Sequence, residues 1–144
     1  MILETLTVGP FQENCYVIGD ESTGEGALVD PGDEAARIAL AVEQTGLEVG
    51  GLRLKALYTP GHAPGHLAFY LESEGLVLSG DALFAGSVGR TDLFGGDMEL
   101  LLRSINERLL ALPDETRVYP GHGPQTTVGD ERRYNPFLQQ GGLL

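Results

Sequence analysis

The sequence predicts an α/β or α+β fold in which sheet and helix layers form a sandwich, and three observations carry that prediction. Strand-like and helix-like segments mix along the chain in the order ββαβββαβ. Both helical segments repeat apolar residues at helical spacing, each behind an aspartate able to cap it. The strand-like runs are short and bounded by glycine and proline turns.

In chain order, residues 2–8 alternate, CYVIG (15–19) is β-rich, and ALV (27–29) runs into the turn DPGD. The first thirty residues therefore read as a β-meander. Asp33 caps EAARIALAVEQTG, where Ala35, Ile38, Leu40, Ala41 and Val42 recur at helical spacing and Gly46 supplies the stop. Residues 52–58 and 67–71 are strands, and the second forms a hairpin with 76–78 across a short turn. The glycine-rich stretch 82–97 lacks periodicity and reads as a loop. Asp97 caps a second helix, 98–112, with Leu101, Ile105, Leu109 and Leu112 on one face and Pro113 ending it. A last strand lies in TRVYPGHG, and the tail after Pro124 reads as polar and irregular. No linker divides the chain, so residues 1–144 are expected to form one domain.

A chain of 144 residues is long enough for a proper core. No apolar run approaches the roughly 18 to 20 residues that cross a bilayer, so no membrane partner is expected. The opening MILETLTVGPFQENCYVIG lacks a basic leader and alternates, unlike a signal peptide, and the expected compartment is cytoplasmic. A net charge of −12 disfavours nucleic acid, whose binding neutralises phosphates with lysine and arginine. The same charge fits a small-molecule enzyme or a cation binder. The single cysteine, Cys15, excludes an internal disulfide and reads as a small buried hydrophobe.

All three histidines, His62, His66 and His122, follow a Pro-Gly pair. Three strand ends finish in a turn followed at once by a metal-capable side chain: TPGH at His62, SGD at Asp81 and YPGH at His122. Glycine admits positive φ and proline fixes the approach, so such turns swing the next side chain off the strand end. Imidazole and carboxylate are the ligands that zinc-like ions prefer. One histidine after a turn is more often a surface or hydrogen-bonding group. The recurrence at three strand ends is what points to a metal site of His62, Asp81 and His122. His66 lies four residues past His62, but Pro64-Gly65 precludes a helical ligand pair. It is expected to open the next strand and tie the turn by hydrogen bonds.

TPGHAPGHLAFYLE, VLSGDALFAGSVGRTDLFGGD and TRVYPGHGPQTTVGDERRYNPFL resemble the metallo-β-lactamase-fold hydrolases, especially their short glyoxalase II-like (hydroxyacylglutathione hydrolase-like) branch. The opening strands resemble that family as well, so the likeness covers nearly the whole chain, and GSVGRTD (86–92) is particularly telling for the short branch. It implies a shortened αββα sandwich with a two-metal site at one edge. His62 would bind one ion, His122 the other and Asp81 both, with Gly80 and Gly121 as the hinges that aim them. The implied substrates are small-molecule thioesters such as S-acylglutathione, attacked by a metal-bound hydroxide. Arg90, Arg132 and Arg133 are candidate carboxylate contacts, set against a plainer reading as loop and tail ion pairs.

The family's Thr-His-x-His-x-Asp-His stretch is absent. The text up to Gly50 reads like the approach to it, and the text from Gly51 like the strand that leads into TPGH, so an internal deletion is expected near Gly50-Gly51. A complete two-metal site needs more histidines than this chain owns, and a dimer cannot restore what neither copy has. The expectation is one weakly held ion, zinc with iron or manganese as alternatives, and weak hydrolysis or none. A mononuclear iron persulfide dioxygenase stays open, as does a non-catalytic remnant or engineered minimal scaffold. A deletion would uncover apolar surface that repacking or a homo-oligomer must cover. A strand fused across the junction is expected to bring His62 within roughly 8 Å of Asp81 or His122, since shared ligands sit at about 2.0 to 2.2 Å from an ion.

Overall fold

Two sheets carry most of the strands in a computed structural model that describes residues 1–8, 13–19, 26–29, 47–49 and 51–139, with side chains for Met1, Leu3, Thr5 and 51–139. The helix expected at 34–46 and the side chain of Cys15 lie outside the described residues. The first sheet is the meander: β1 (Ile2–Val8), β2 (Glu13–Gly19) and β3 (Gly26–Val29), antiparallel throughout.

The larger sheet holds β4 (Leu47–Val49), β5 (Leu52–Tyr58), β6 (Leu67–Leu71), β7 (Leu76–Gly80), β10 (Arg117–Pro120) and β11 (Thr126–Thr127), in the order β11-β10-β7-β6-β5-β4. Neighbours are antiparallel except β10 and β7, which run parallel. A parallel pair needs a long crossover, and here the crossover carries the principal helix. Every residue of β7 is buried, as expected of a strand covered on both faces. On one face Leu52, Leu54, Leu71, Leu76 and Leu78 pack with Met1 and with Leu3 of β1. On the other, Leu57, Ala68, Val77 and Val118 pack with Leu101, Ile105, Leu109, Val128 and Leu138 from helices. Leu101, Ile105 and Leu109 are wholly buried, each contributing about 1.5 to 3 kcal/mol of apolar burial.

The helix expected at 98–112 is α1 (Met98–Ser104), continued by a widened turn over Ile105–Leu109 in which Leu110 N–H donates to Ile105 O at 2.8 Å. The Asp97 carboxylate caps it, accepting from Leu100 N–H at 3.1 Å. The helix also fastens the turn after β5: Ser104 Oγ donates to Pro60 O at 2.7 Å, and Gly61 O accepts from Asp97 N–H at 2.7 Å.

Three expectations need correction. The loop at 82–97 contains a small hairpin, β8 (Leu83–Phe84) and β9 (Ser87–Val88), too short to show a period in sequence. The tail after Pro124 is not irregular, for it adds β11 to the sheet and then two helices, α2 (Val128–Tyr134) and α3 (Pro136–Gln139). Their polar sequence hides them, because Val128 and Leu138 are the apolar residues that seat them in the core. No strand is fused across Gly50-Gly51. Val49 of β4 pairs antiparallel with Leu52 of β5, so the chain reverses between these two residues instead of running on as one strand. Among the described residues no helix is long and apolar enough to cross a membrane.

Candidate metal centre

β5 and β7 both run antiparallel to β6, and β10 runs parallel to β7, so all three end at the same edge of the sheet. Each ends in one of the turns singled out in the sequence. Gly80 adopts a left-handed φ of 56°, turning the chain off β7 into Asp81. Gly121 is needed for a different reason: its N–H donates to Gly80 O at 2.7 Å, and a Cβ there would sit 2.5 Å from Asp81 Oδ1.

The structure brings His62, Asp81 and His122 together. Asp81 Oδ1 meets His122 Nδ1 at 2.8 Å, and Asp81 Oδ2 faces His62 Nε2 at 3.4 Å. His62 Nδ1 lies 2.8 Å from Arg90 O. A carbonyl only accepts, so Nδ1 carries the proton and Nε2 is the nitrogen turned to the carboxylate. The hydrogen bond with Asp81 raises the His62 pKa from its ordinary value, outweighing burial. Burial alone would raise Asp81, but the hydrogen bond from His62 and the charges of His122 and His62 carry it below the usual carboxylate value. His66 does tie the turn. Its Nδ1 bonds Thr59 Oγ1 at 2.7 Å and its Nε2 accepts Asp81 N–H at 3.0 Å, while burial pushes its pKa down to about 4.

The trio opens on a cleft of about 460 Å³ also lined by Phe84, Val88, Arg90 and Leu93, a size suited to a small molecule. The Phe84 and His122 rings meet edge to face with centroids 5.6 Å apart. Arg90 pairs with Asp92 at 2.7 and 2.8 Å at the cleft mouth, whereas Arg132 and Arg133 both pair with Asp114. Sequence reasoning missed the support behind Phe84. The buried Glu131 carboxylate accepts from Gly86 N–H at 2.8 Å, Thr126 Oγ at 2.7 Å and Asn135 Nδ2 at 2.9 Å. Asn135 Nδ2 also donates to Ser87 O at 3.0 Å, so the hairpin carrying Phe84 hangs on α2. The run ERRYNP was the available signal, hidden in what reads as a charged tail.

Two ligands at about 2.0 to 2.2 Å from one tetrahedral ion stand about 3.4 Å apart. The His62–Asp81 separation of 3.4 Å matches that spacing. The His122 contact is shorter, a direct hydrogen bond that must open before its Nδ1 could join. Among the described residues no set of three or more His, Cys, Asp or Glu side chains stands ready to hold an ion.

A profile of the Metallo-beta-lactamase superfamily matches residues 34–122. The chain belongs to that superfamily. Within it, the chain is 53% identical over 92 residues to "Probable metallo-hydrolase YqgX" of Bacillus subtilis (strain 168), covering 64% of this chain and 44% of that one. It is 45% identical over 92 residues to hydroxyacylglutathione hydrolase GloC of Haemophilus influenzae, covering 64% and 43%. The matched part thus spans less than half the length of either relative. A protein of Aquifex aeolicus (strain VF5) is 31% identical over 204 positions, covering 95% of this chain and 97% of that one. Since this chain has 144 residues, that alignment leaves many positions of the relative without a counterpart. Among solved structures, the BLEG-1 B3 metallo-beta-lactamase superposes with a TM-score of 0.82 at 27% identity over 95% of this chain and 99% of that one. ETHE1 from Myxococcus xanthus gives 0.80 at 28% over 94% and 84%. TTHA1623 in a di-iron-bound form gives 0.74 at 32% over 94% and 100%. The superfamily is one of metal-binding, hydrolase-like proteins, and the mixed sheet with helices matches its α/β sandwich.

Proposed function

We propose that the chain is a metal-dependent hydrolase of the thioester or ester type, glyoxalase II-like, with an incomplete site for one ion. The observation that carries this reading is the Asp81 carboxylate set between His62 and His122 in an open cleft. The likeness to GloC supports the substrate class. His62 Nε2 and Asp81 Oδ2 would hold the ion, zinc in this reading with iron or manganese as alternatives, and His122 would join once released from Asp81. A bound ion supplies the Lewis acidity that polarises a carbonyl and acidifies water. The chain itself supplies an apolar wall of Phe84, Val88 and Leu93 for an acyl group.

The gapped alignment and the tight β4–β5 link support a second element of the proposal. A segment bearing the family's histidine-rich stretch is deleted near Gly50-Gly51 within a single domain, leaving hydrolysis weak or nil. A cytoplasmic setting, no nucleic-acid or membrane partner, and a homo-oligomer covering surface bared by the deletion complete it.

Metal analysis comes first: about one zinc per chain, lost in His122→Ala, is the expected result. A thioester assay with added zinc should then give a rate above that of Asp81→Ala, and equal rates reject the hydrolase. Absence of metal above background favours a non-catalytic remnant or scaffold. The structural likeness to ETHE1 leaves one other enzyme open, a mononuclear iron persulfide dioxygenase. It predicts bound iron and oxygen consumption with a persulfide.

A further inference from the structure

We propose that His66 is a positioning residue that locks the His62 turn and the Asp81 turn into one frame, an inference that rests on the metal-site reading above. Its imidazole spans two strand ends. Asp81 N–H can only donate, so Nε2, 3.0 Å away, must accept and carry no proton. Nδ1 is then the protonated nitrogen, and at 2.7 Å it donates to Thr59 Oγ1. Thr59, wholly buried at the end of β5, closes the same loop again through its N–H to His66 O at 3.0 Å.

The consequence is geometric. His62 lies inside the loop 59–66 that these bonds close, and Asp81 begins the turn whose first N–H they hold. One neutral ring therefore sets the distance between the loop carrying one ligand and the backbone of the other. His66 is not itself a ligand, because both ring nitrogens are engaged and neither faces the cleft. The His62 and His66 rings stand perpendicular with centroids 6.2 Å apart, so a change at His66 also reaches the wall against which His62 rests. Residues that orient ligands in this way typically matter 10- to 100-fold in metal affinity.

Two amides separate this role from mere filling of space. In His66→Gln the side-chain oxygen reaches about where Nε2 lies and can still accept from Asp81 N–H. In His66→Asn the shorter side chain reaches Thr59 but not Asp81. The readouts are hydrogen exchange at the Asp81 amide in metal-free protein, zinc affinity by calorimetry, and the melting transition as a check of folding. The expected result is that His66→Asn exchanges the Asp81 amide at least tenfold faster and binds zinc at least tenfold more weakly, with His66→Gln within about threefold of the unsubstituted protein on both. Equal losses in the two variants, or an Asp81 amide unchanged in His66→Asn, overturn the proposal. If the unsubstituted protein takes up no zinc, the metal reading fails, while exchange at Asp81 still decides the role of His66. Should either variant not fold, the ¹⁵N spectrum of the unsubstituted protein decides: His66 must be neutral with its proton on Nδ1, and a proton on Nε2 rejects the latch.

Discussion

Asp81 Oδ1 and His122 Nδ1 are 2.8 Å apart, and this bond joins the ends of two parallel strands, β7 and β10, across the mouth of the cleft. The same carboxylate turns its other oxygen to His62. Replacing it by a neutral amide removes the charge both imidazoles share. In Asp81→Asn the metal-free His62 should titrate closer to its ordinary value, because the hydrogen bond that raises it is weakened. Zinc uptake should fall 100-fold or more with the fold intact, since Asp81 is only partly buried. Imidazole NMR and calorimetry read the two effects, and an unmoved His62 titration counts against the shared-charge description.

Gly121→Ala tests the aim of the turn rather than its chemistry. The added methyl would sit 2.5 Å from Asp81 Oδ1, closer than real contacts allow, so the carboxylate must move off His122. The expected variant folds, melts a few degrees lower and binds zinc at least tenfold more weakly. Retention of full zinc affinity would show that the His122 contact is not part of the site.

The turns were legible because their chemistry is local: Pro-Gly before histidine and Ser-Gly before aspartate declare both a chain reversal and a side chain worth aiming. The strands β5, β6, β7 and β10 were legible for the same reason, each being an apolar run closed by a breaker, though of their pairing only the β6–β7 hairpin was. What escaped was non-local. Glu131 and Asn135 look like solvated helix residues until α2 is seen against the β8–β9 hairpin, where the groups they satisfy, Gly86 N–H and Ser87 O, come from about 45 to 48 residues earlier. Likewise Gly50-Gly51 read in sequence as the scar of a deletion, while the antiparallel pairing of Val49 with Leu52 is a contact between strands that no local pattern announces.

Glu131→Ala should cost stability through the donors it abandons. Gly86 N–H, Thr126 Oγ1 and Asn135 Nδ2 would lose a buried acceptor, Asn135 keeping its bond to Ser87 O, and each hydrogen bond lost is worth about 0.5 to 1.5 kcal/mol, more when its acceptor is charged. Glu131→Gln keeps one oxygen as an acceptor and should lose roughly half as much. Urea unfolding measures both. If the alanine variant loses under about 1 kcal/mol, the network is not what holds the Phe84 hairpin.

Acid should weaken the metal-free protein through His66. Its folded pKa is pushed down to about 4 by burial, whereas in the unfolded chain it titrates near the ordinary 6.5. Between those values the unfolded state binds the extra proton, so this group's effect is to lower stability as pH falls from about 6.5 toward about 4. The slope approaches about 1.4 kcal/mol per pH unit from this one group. Above that window His66 is neutral in both states, and below it charged in both, so it adds no further slope. His66→Gln has no such proton to exclude, while every other titrating group is kept. Urea midpoints with chelator at several pH values across the window should therefore fall more steeply for the unsubstituted protein than for His66→Gln. Parallel profiles would mean that the ring is already open to protons in the folded state, and that the bond between Asp81 N–H and His66 Nε2 does not hold the turn.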